Sequence, residues 1–197
     1  MQQHWPAPER NKGPILEVLQ RVLPGQGTLL ELASGSGQHA VFFAQALPHW
    51  RFVPSDISPQ NLASIRAYRE QAQLPNLLAP RSLDVRTADW QLSELDAVYS
   101  ANMLHISPWE CTEALLRGAA HHLRSHGQLI VYGPFRVAGQ HTSESNRQFD
   151  ADLRAQDASW GVRDLEQIAL FAEACGLQLR ERVAMPANNQ CLVLQRV

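Results

Sequence analysis

Thr28-Leu29-Leu30-Glu31-Leu32-Ala33-Ser34-Gly35-Ser36-Gly37 is an apolar, strand-forming run that ends in a glycine-rich turn. A helical pattern follows, with Ala40, Phe43, Ala44 and Leu47 on one face. A second strand-like run, Arg51-Phe52-Val53-Pro54-Ser55, then closes on Asp56. Strand, glycine turn, helix, strand and terminal acid is the layout of a nucleotide-binding α/β half-domain, in which the turn admits a ligand close to the backbone and the acid takes a ribose hydroxyl. Glu31 refines that reading. A carboxylate just before the turn would repel the pyrophosphate of a dinucleotide, whereas it suits a cofactor with a sulfonium and an ammonium and no phosphate. The charge therefore points away from NAD and toward the methyl donor S-adenosylmethionine.

The 197 residues match one domain, 1–197, long enough to enclose a single continuous core. Charged residues are 18% of the chain, against about a quarter in an average protein, and 45% are hydrophobic, which predicts a globule and not a disordered chain. A formal net charge of −2 argues against a broad nucleic-acid face. Cys111, Cys175 and Cys191 are far apart, so they form neither a disulfide framework nor a metal-ligand spacing, and no metal is expected. Met1-Gln2-Gln3-His4-Trp5-Pro6 is polar, and no apolar run is long enough to span a bilayer, so the expectation is a soluble cytoplasmic protein with no membrane partner.

Residues 1–13 are Pro-rich and polar and read as an N-terminal arm. Ile15, Val18, Leu19 and Val22 follow helical spacing, with Pro14 at the helix start. Ser58-Pro59 caps a helix bearing Leu62 and Ile65; Arg81–Val85 and Leu95–Ala101 are strands three and four. Ser107-Pro108-Trp109-Glu110 has the form of a capping box opening a helix with Leu115, Leu116, Ala119 and Leu123. His121, His122 and His126 fall at that helix's end, where positive charge complements the dipole. Gly127–Gly133 is nearly all apolar, as a strand buried on both faces should be. Residues 134–163 are too long and polar for an ordinary connection and read as an insert that, with the N-terminal arm, forms the lid of the acceptor pocket. Asp164 with Gln167 caps a helix that stops at Gly176, and the segments 177–184 and 191–197 must pair antiparallel, since no helix fits between them.

Five β-α units followed by a hairpin resemble the class I S-adenosylmethionine-dependent methyltransferases. The resemblance is closest to a family of small, uncharacterised methyltransferase-like proteins of bacteria and animals. It is carried by Glu9-Arg10-Asn11-Lys12, by Leu30–His39, by Ser100-Ala101-Asn102-Met103-Leu104-His105-Ile106-Ser107, by Tyr132-Gly133-Pro134-Phe135 and by Trp160-Gly161-Val162-Arg163-Asp164. It implies an α/β, Rossmann-like three-layer sandwich whose seven-stranded sheet is mostly parallel with the last strand antiparallel. Ala33 departs from the pattern, since the class has glycine there. The extra methyl group is small, but a positive φ at that position would be costly.

Each candidate residue has a functional and an ordinary reading. Gly35 and Gly37 let backbone amides approach the methionine part of the cofactor, or simply make a turn. Glu31 would hold the ammonium, or is a strand-end acid. Asp56 would accept from both ribose hydroxyls, or cap the next helix, a task Ser58 already performs. Asp84 would receive the adenine amino group beside the amide of Val85, with a plain loop acid as the competing reading. Asn102 would line the cofactor after strand four, or form a turn. Asn11, with Arg10 and Lys12, would fold over the cofactor's carboxylate, or be a solvated leader. His105 stands near a strand's C-terminal end, where open sheets place their sites; it is a weak candidate for a general base and more commonly a structural imidazole. Tyr132, Phe135 and Trp160 would wall an apolar acceptor, or pack the insert.

Several chemistries lack their motifs. No Gly-Lys-Ser/Thr follows a glycine loop, there is no Gly-x-Ser-x-Gly elbow, and Asn102-Met103-Leu104-His105 is not the Asn/Asp-Pro-Pro-aromatic signature of adenine-amino or glutamine methyltransferases. The expected activity is methyl transfer from S-adenosylmethionine to a small-molecule acceptor. The alternatives are a cofactor-binding protein that works through partners and an NAD-dependent oxidoreductase, for which Gly35–Ala40 satisfies Gly-x-Gly-x-x-Gly/Ala. Acceptor identity and oligomeric state lie beyond the sequence.

Overall fold

A computed structural model describes residues 1–92 and 94–197. The elements run α1 (Pro6–Val22), β1 (Gly27–Leu32), α2 (Gln38–Ala46), β2 (Trp50–Asp56), α3 (Pro59–Ala72), β3 (Arg81–Ser82), β4 (Leu95–Ala101), α4 (Trp109–His122) and β5 (Leu123–Gly133). They continue with β6 (Phe135–Arg136), α5 (Glu144–Gln156), β7 (Arg163–Asp164), α6 (Leu165–Ala174), β8 (Leu177–Met185) and β9 (Asn189–Arg196). The main sheet has seven strands in the order β3-β2-β1-β4-β5-β9-β8, and β9 alone runs against its neighbours. This is the seven-stranded, mostly parallel sheet that the resemblance implied.

Alternation along the strands builds two cores. Leu30, Leu32, Val98, Leu129, Val131, Leu192 and Leu194 face α4 and α6, against Leu115, Leu116, Ala119, Ile168 and Ala172. Leu29, Phe52, Ala97, Tyr99, Ile130 and Val193 face the other way, onto Ile15, Val18 and Leu19 of α1 and Phe43 and Ala44 of α2. Both faces of the central strands are covered, which is why β1, β4 and β9 read as largely apolar runs, whereas the edge strand β8 alternates. Asp164 caps α6 by accepting from the amides of Glu166 and Gln167, Ser58 caps α3, and Gly176 takes a φ of +85° just after α6. No helix among the described residues is long and apolar enough to cross a membrane.

The structure corrects four expectations. The first helix starts at Pro6, not Pro14, so most of the expected arm is helical and Pro14 lies inside α1. Trp5 is extended, as a residue before proline prefers, and the prolines at the first turn have no amide to lose. The capping box at Ser107 does not form: Pro108 is the N-cap of α4 and the Ser107 hydroxyl donates back to the Met103 carbonyl at 2.7 Å. Between β3 and β4 no helix is found among the described residues. Trp90 fills that place, stacked on His122 at 4.9 Å and lying so close to Gly118 in α4 that any Cβ there would collide with it. Lastly, His122 is buried and neutral. Its Nε2 accepts the Trp90 amide at 3.1 Å and its Nδ1 bonds the Leu92 carbonyl, while burial lowers its pKa, so it adds no positive charge to the helix end.

Candidate functional site

The C-terminal ends of β1, β2, β3 and β4 converge on one side of the sheet. The turn after β1 is held in its shape from several directions. The Ser34 amide donates to the Ser55 carbonyl (2.8 Å), the Gly37 amide to the Ser34 carbonyl (3.0 Å), and the Ser64 hydroxyl of α3 to the Ser36 carbonyl (2.7 Å). Ala33, Gly35 and Gly37 all have positive φ, at 55°, 57° and 93°. Glycine does this freely; at Ala33 the Cβ makes the conformation cost about 1–2 kcal/mol. The expectation that a positive φ here would be costly therefore applies. Gly37 has a second reason to be glycine, because a Cβ would come within 3.0 Å of the Ile65 Cα.

Around this turn lies a cavity of about 480 Å³. One wall is Trp5, Pro8 and Asn11. The turn contributes Ala33, Ser34 and Gly35, and the segment after β2 contributes Asp56, Ile57, Ser58 and Asn61. Leu83–Arg86 close one end, and Asn102, Met103, Ile106, Ser107 and Cys111 form the opposite lip. Asp56 already organises its surroundings: Oδ2 accepts the Gly35 amide at 2.9 Å, and Oδ1 accepts the Ser58 amide (2.8 Å) and the Asn61 side chain (3.2 Å). A carboxylate offers about four lone-pair sites, so one remains and a single ribose hydroxyl fits more readily than two. Asp84 is gripped by Arg86, whose guanidinium donates at 2.6 and 3.0 Å and holds the carboxyl pKa below its ordinary value.

Behind the turn is a buried polar network. Glu31 is 3% exposed, and its Oε2 has no hydrogen-bond partner. Loss of water raises its pKa from 4.5 to about 8. His39 lies beside it, Nδ1 to Oε1 at 3.9 Å. The His39 Nε2–H donates to Asn11 Oδ1 at 2.7 Å, and the Tyr99 hydroxyl lies 3.3 Å from Nδ1. Burial drives the His39 pKa down to about 4, so the imidazole is neutral. A protonated acid with one oxygen unsatisfied, next to a neutral imidazole, is a place where an incoming cation restores a missing partner.

Of the residues expected at the cofactor, Asn11, Ala33, Gly35, Asp56, Asp84, Val85 and Asn102 line the cavity, while Glu31 and Gly37 are outside its lining, Glu31 lying beside the lining residue His39. Arg10 and Lys12 are not in the lining; Lys12 pairs with Glu9 at 2.5 Å and sits over the Phe42 ring. The candidate base is corrected. His105 is fully buried with both ring nitrogens unpartnered, and burial with Arg163 nearby takes its pKa down to about 3. It packs on Phe135 and against Gly133 and does not reach the cavity. Tyr132 and Phe135 are buried in the two cores, and neither they nor Trp160 line the cavity, which also contains no residue of 134–163. The insert instead pairs β6 with β7, and Arg163 turns inward to the carbonyls of Leu104, Ser107 and Ser159.

Sequence reading missed Trp5, His39 and Arg86 as neighbours of the site. The Gln38-His39 pair directly after the glycine turn was the available signal for His39, since the first turn of that helix must face the ligand side. Trp5 carried no such signal, because its position depends on docking across the chain.

The fold is shared with solved methyltransferases. Mitomycin 7-O-methyltransferase MmcR is 15% identical with a TM-score of 0.81, over 97% of this chain and 54% of that one. An O-methyltransferase family protein from Burkholderia thailandensis is 17% identical with a TM-score of 0.83, over 96% and 57%. Human N-acetylserotonin methyltransferase, solved with S-adenosylmethionine, is 14% identical with a TM-score of 0.78, over 96% and 52%. The chain thus spans about half the length of these structures, and at such identities the likeness is one of fold, that of the class I S-adenosylmethionine-dependent methyltransferases. Residues 2–196 match one family model, and the protein belongs to that family, described as a protein of unknown function, DUF938.

Proposed function

We propose that this chain transfers a methyl group from S-adenosylmethionine to a small-molecule acceptor. The observation that carries the reading is the buried Glu31, whose Oε2 has no partner, near the end of the strand before a glycine turn, with Asp56 at the end of the next strand. The donor set fits that cofactor: one acid at ribose distance along the fold, one acid suited to an ammonium, and a turn with no lysine for phosphate. A dinucleotide would bring its pyrophosphate against Glu31.

When bound, S-adenosylmethionine supplies a methyl group already activated by its sulfonium. The protein's residues then bind, orient and dry the site. Asp56 takes a ribose hydroxyl, Asp84 and the Val85 amide meet the adenine, and Glu31 with Asn11 receives the ammonium. Asn102 and Met103, on the lip after β4, stand toward the acceptor. Arriving cationic charge lowers the Glu31 pKa, so loading the cofactor below about pH 8 releases a proton.

A second reading, a cofactor-binding protein without transfer, is favoured by one observation: none of Tyr132, Phe135 and Trp160 lines the cavity. Calorimetry with S-adenosylmethionine, S-adenosylhomocysteine and NAD tests the cofactor; tighter binding of NAD would overturn the assignment. Transfer of labelled methyl from the cofactor into a small-molecule extract separates enzyme from binding protein.

A further inference from the structure

Trp5 is held in position by a single side chain. Its amide donates to Gln38 Oε1 at 2.7 Å and its carbonyl accepts from Gln38 Nε2 at 3.3 Å. Gln38 is itself only 5% exposed and also donates to Glu9 at 2.7 Å, so the clasp is sheltered from water. The indole lies directly on the glycine turn: a Cβ on Gly35 would come 3.0 Å from Cη2 and closer still to Cζ3. The ring lines the cavity and keeps 39% of its residue surface exposed, and it is the only Phe, Tyr or Trp ring among the described residues that does so. An indole face carries negative electrostatic potential and attracts cations. Here it stands on the same turn that has Glu31 behind it.

We propose that Trp5 is a specificity-determining wall of the cofactor site, its π face set toward the cationic methionine end of the donor. Ligands with sulfonium and ammonium charge are thereby favoured over adenosine ligands without them. The proposal rests on the cofactor reading above. Three ligands grade the charge: S-adenosylmethionine has both charges, and S-adenosylhomocysteine keeps the ammonium and nearly the same shape. Methylthioadenosine lacks the ammonium together with the whole amino-acid chain, so the first two isolate charge from shape.

Calorimetry on the full-length wild type, Trp5→Phe and Trp5→Leu tests it. Trp5→Leu retains an apolar wall without a π face and should weaken S-adenosylmethionine about three- to tenfold, S-adenosylhomocysteine less and methylthioadenosine least, with Trp5→Phe in between. Unchanged binding, or equal losses for S-adenosylmethionine and S-adenosylhomocysteine, would reduce Trp5 to a plain apolar wall and overturn the proposal. Binding of methylthioadenosine by the wild type shows separately that the adenosine half of the site is present. A wild type that binds none of the three removes the cofactor reading and this proposal together.

Discussion

The glycine turn and the insert occupy the same end of the sheet, but only the turn borders the cavity. Around the turn, polar groups are left wanting: Glu31 Oε2 is unpartnered, Ala33 is strained and a cavity stands open. The insert is closed by bonds to itself and to the sheet edge, although Arg136 Nε and His141 Nδ1 are buried without partners and Ala138 has a φ of +50°. Asp150 accepts the Val162 amide at 2.6 Å and pairs with Arg154 at 3.1 Å, Asn146 donates to the Asn188 carbonyl at 2.9 Å, and Gly161 donates to the His105 carbonyl at 2.9 Å. Unmet bonding capacity and strained backbone occur in both regions; only at the turn do they border an open cavity, and that combination marks a region prepared for a ligand.

The largest expected effect is a pH dependence. Between its ordinary pKa and about 8, folded Glu31 keeps a proton that the unfolded chain has released. Stability contributed at this site therefore falls as pH rises through that window and levels off above it. Relative to wild type, Glu31→Gln should gain on the order of 3 kcal/mol of stability between pH 5 and pH 8. Parallel denaturation curves for the two proteins across that range would mean that Glu31 is solvated. The same variant should bind S-adenosylmethionine more weakly while leaving adenosine nearly untouched.

Asp56→Ala comes next. Losing a charged hydrogen bond to the ribose costs about 1.5–3 kcal/mol, or roughly ten- to a hundredfold in cofactor affinity. Calorimetry on the folded variant reads this directly, and an unchanged Kd would take Asp56 out of the site. In the insert, Leu153→Ala should lower stability by about 2 kcal/mol with cofactor affinity unaltered. Chemical denaturation and calorimetry on that variant would break the contrast between the two regions if affinity fell as well. The smallest effect is at Ala33. Glycine relieves the positive φ but adds freedom to the unfolded chain, so Ala33→Gly should stabilise by about 0.5 kcal/mol, read from the denaturant midpoint.

The central strands were legible because they are apolar on both faces, and the reversed β9 followed from the shortness of the 185–190 connection. Polar residues at and beside the cavity were legible for a related reason: a strand's end fixes where its next residue points, which located Glu31, Asp56 and Asn102. What escaped was set by long-range docking. Trp5 meets Gly35 only once α1 lies across α2, and the position of Phe135 depends on β6 pairing with β7 instead of opening over the cavity. His105 escaped for the same reason, since its neighbours Gly133, Phe135 and Arg163 are remote in sequence. The first turn of α1 was misplaced because Pro14 resembles a helix start, although Pro6 has the same qualification and an extended residue before it.

The seat of Trp90 on Gly118 has a consequence for which positions can vary. The Trp90 indole N–H donates to the Val85 carbonyl at 3.2 Å, so the wall expected to meet the adenine is hung from a ring that is itself seated in a notch of α4. Gly118 touches no part of the cavity, yet any side chain there would displace the ring and move that wall. A residue in the middle of a helix, where alanine is ordinarily an improvement, is thereby closed to substitution. Tolerance to mutation in this protein does not simply fade with distance from the ligand; it follows the chain of contacts that positions the walls.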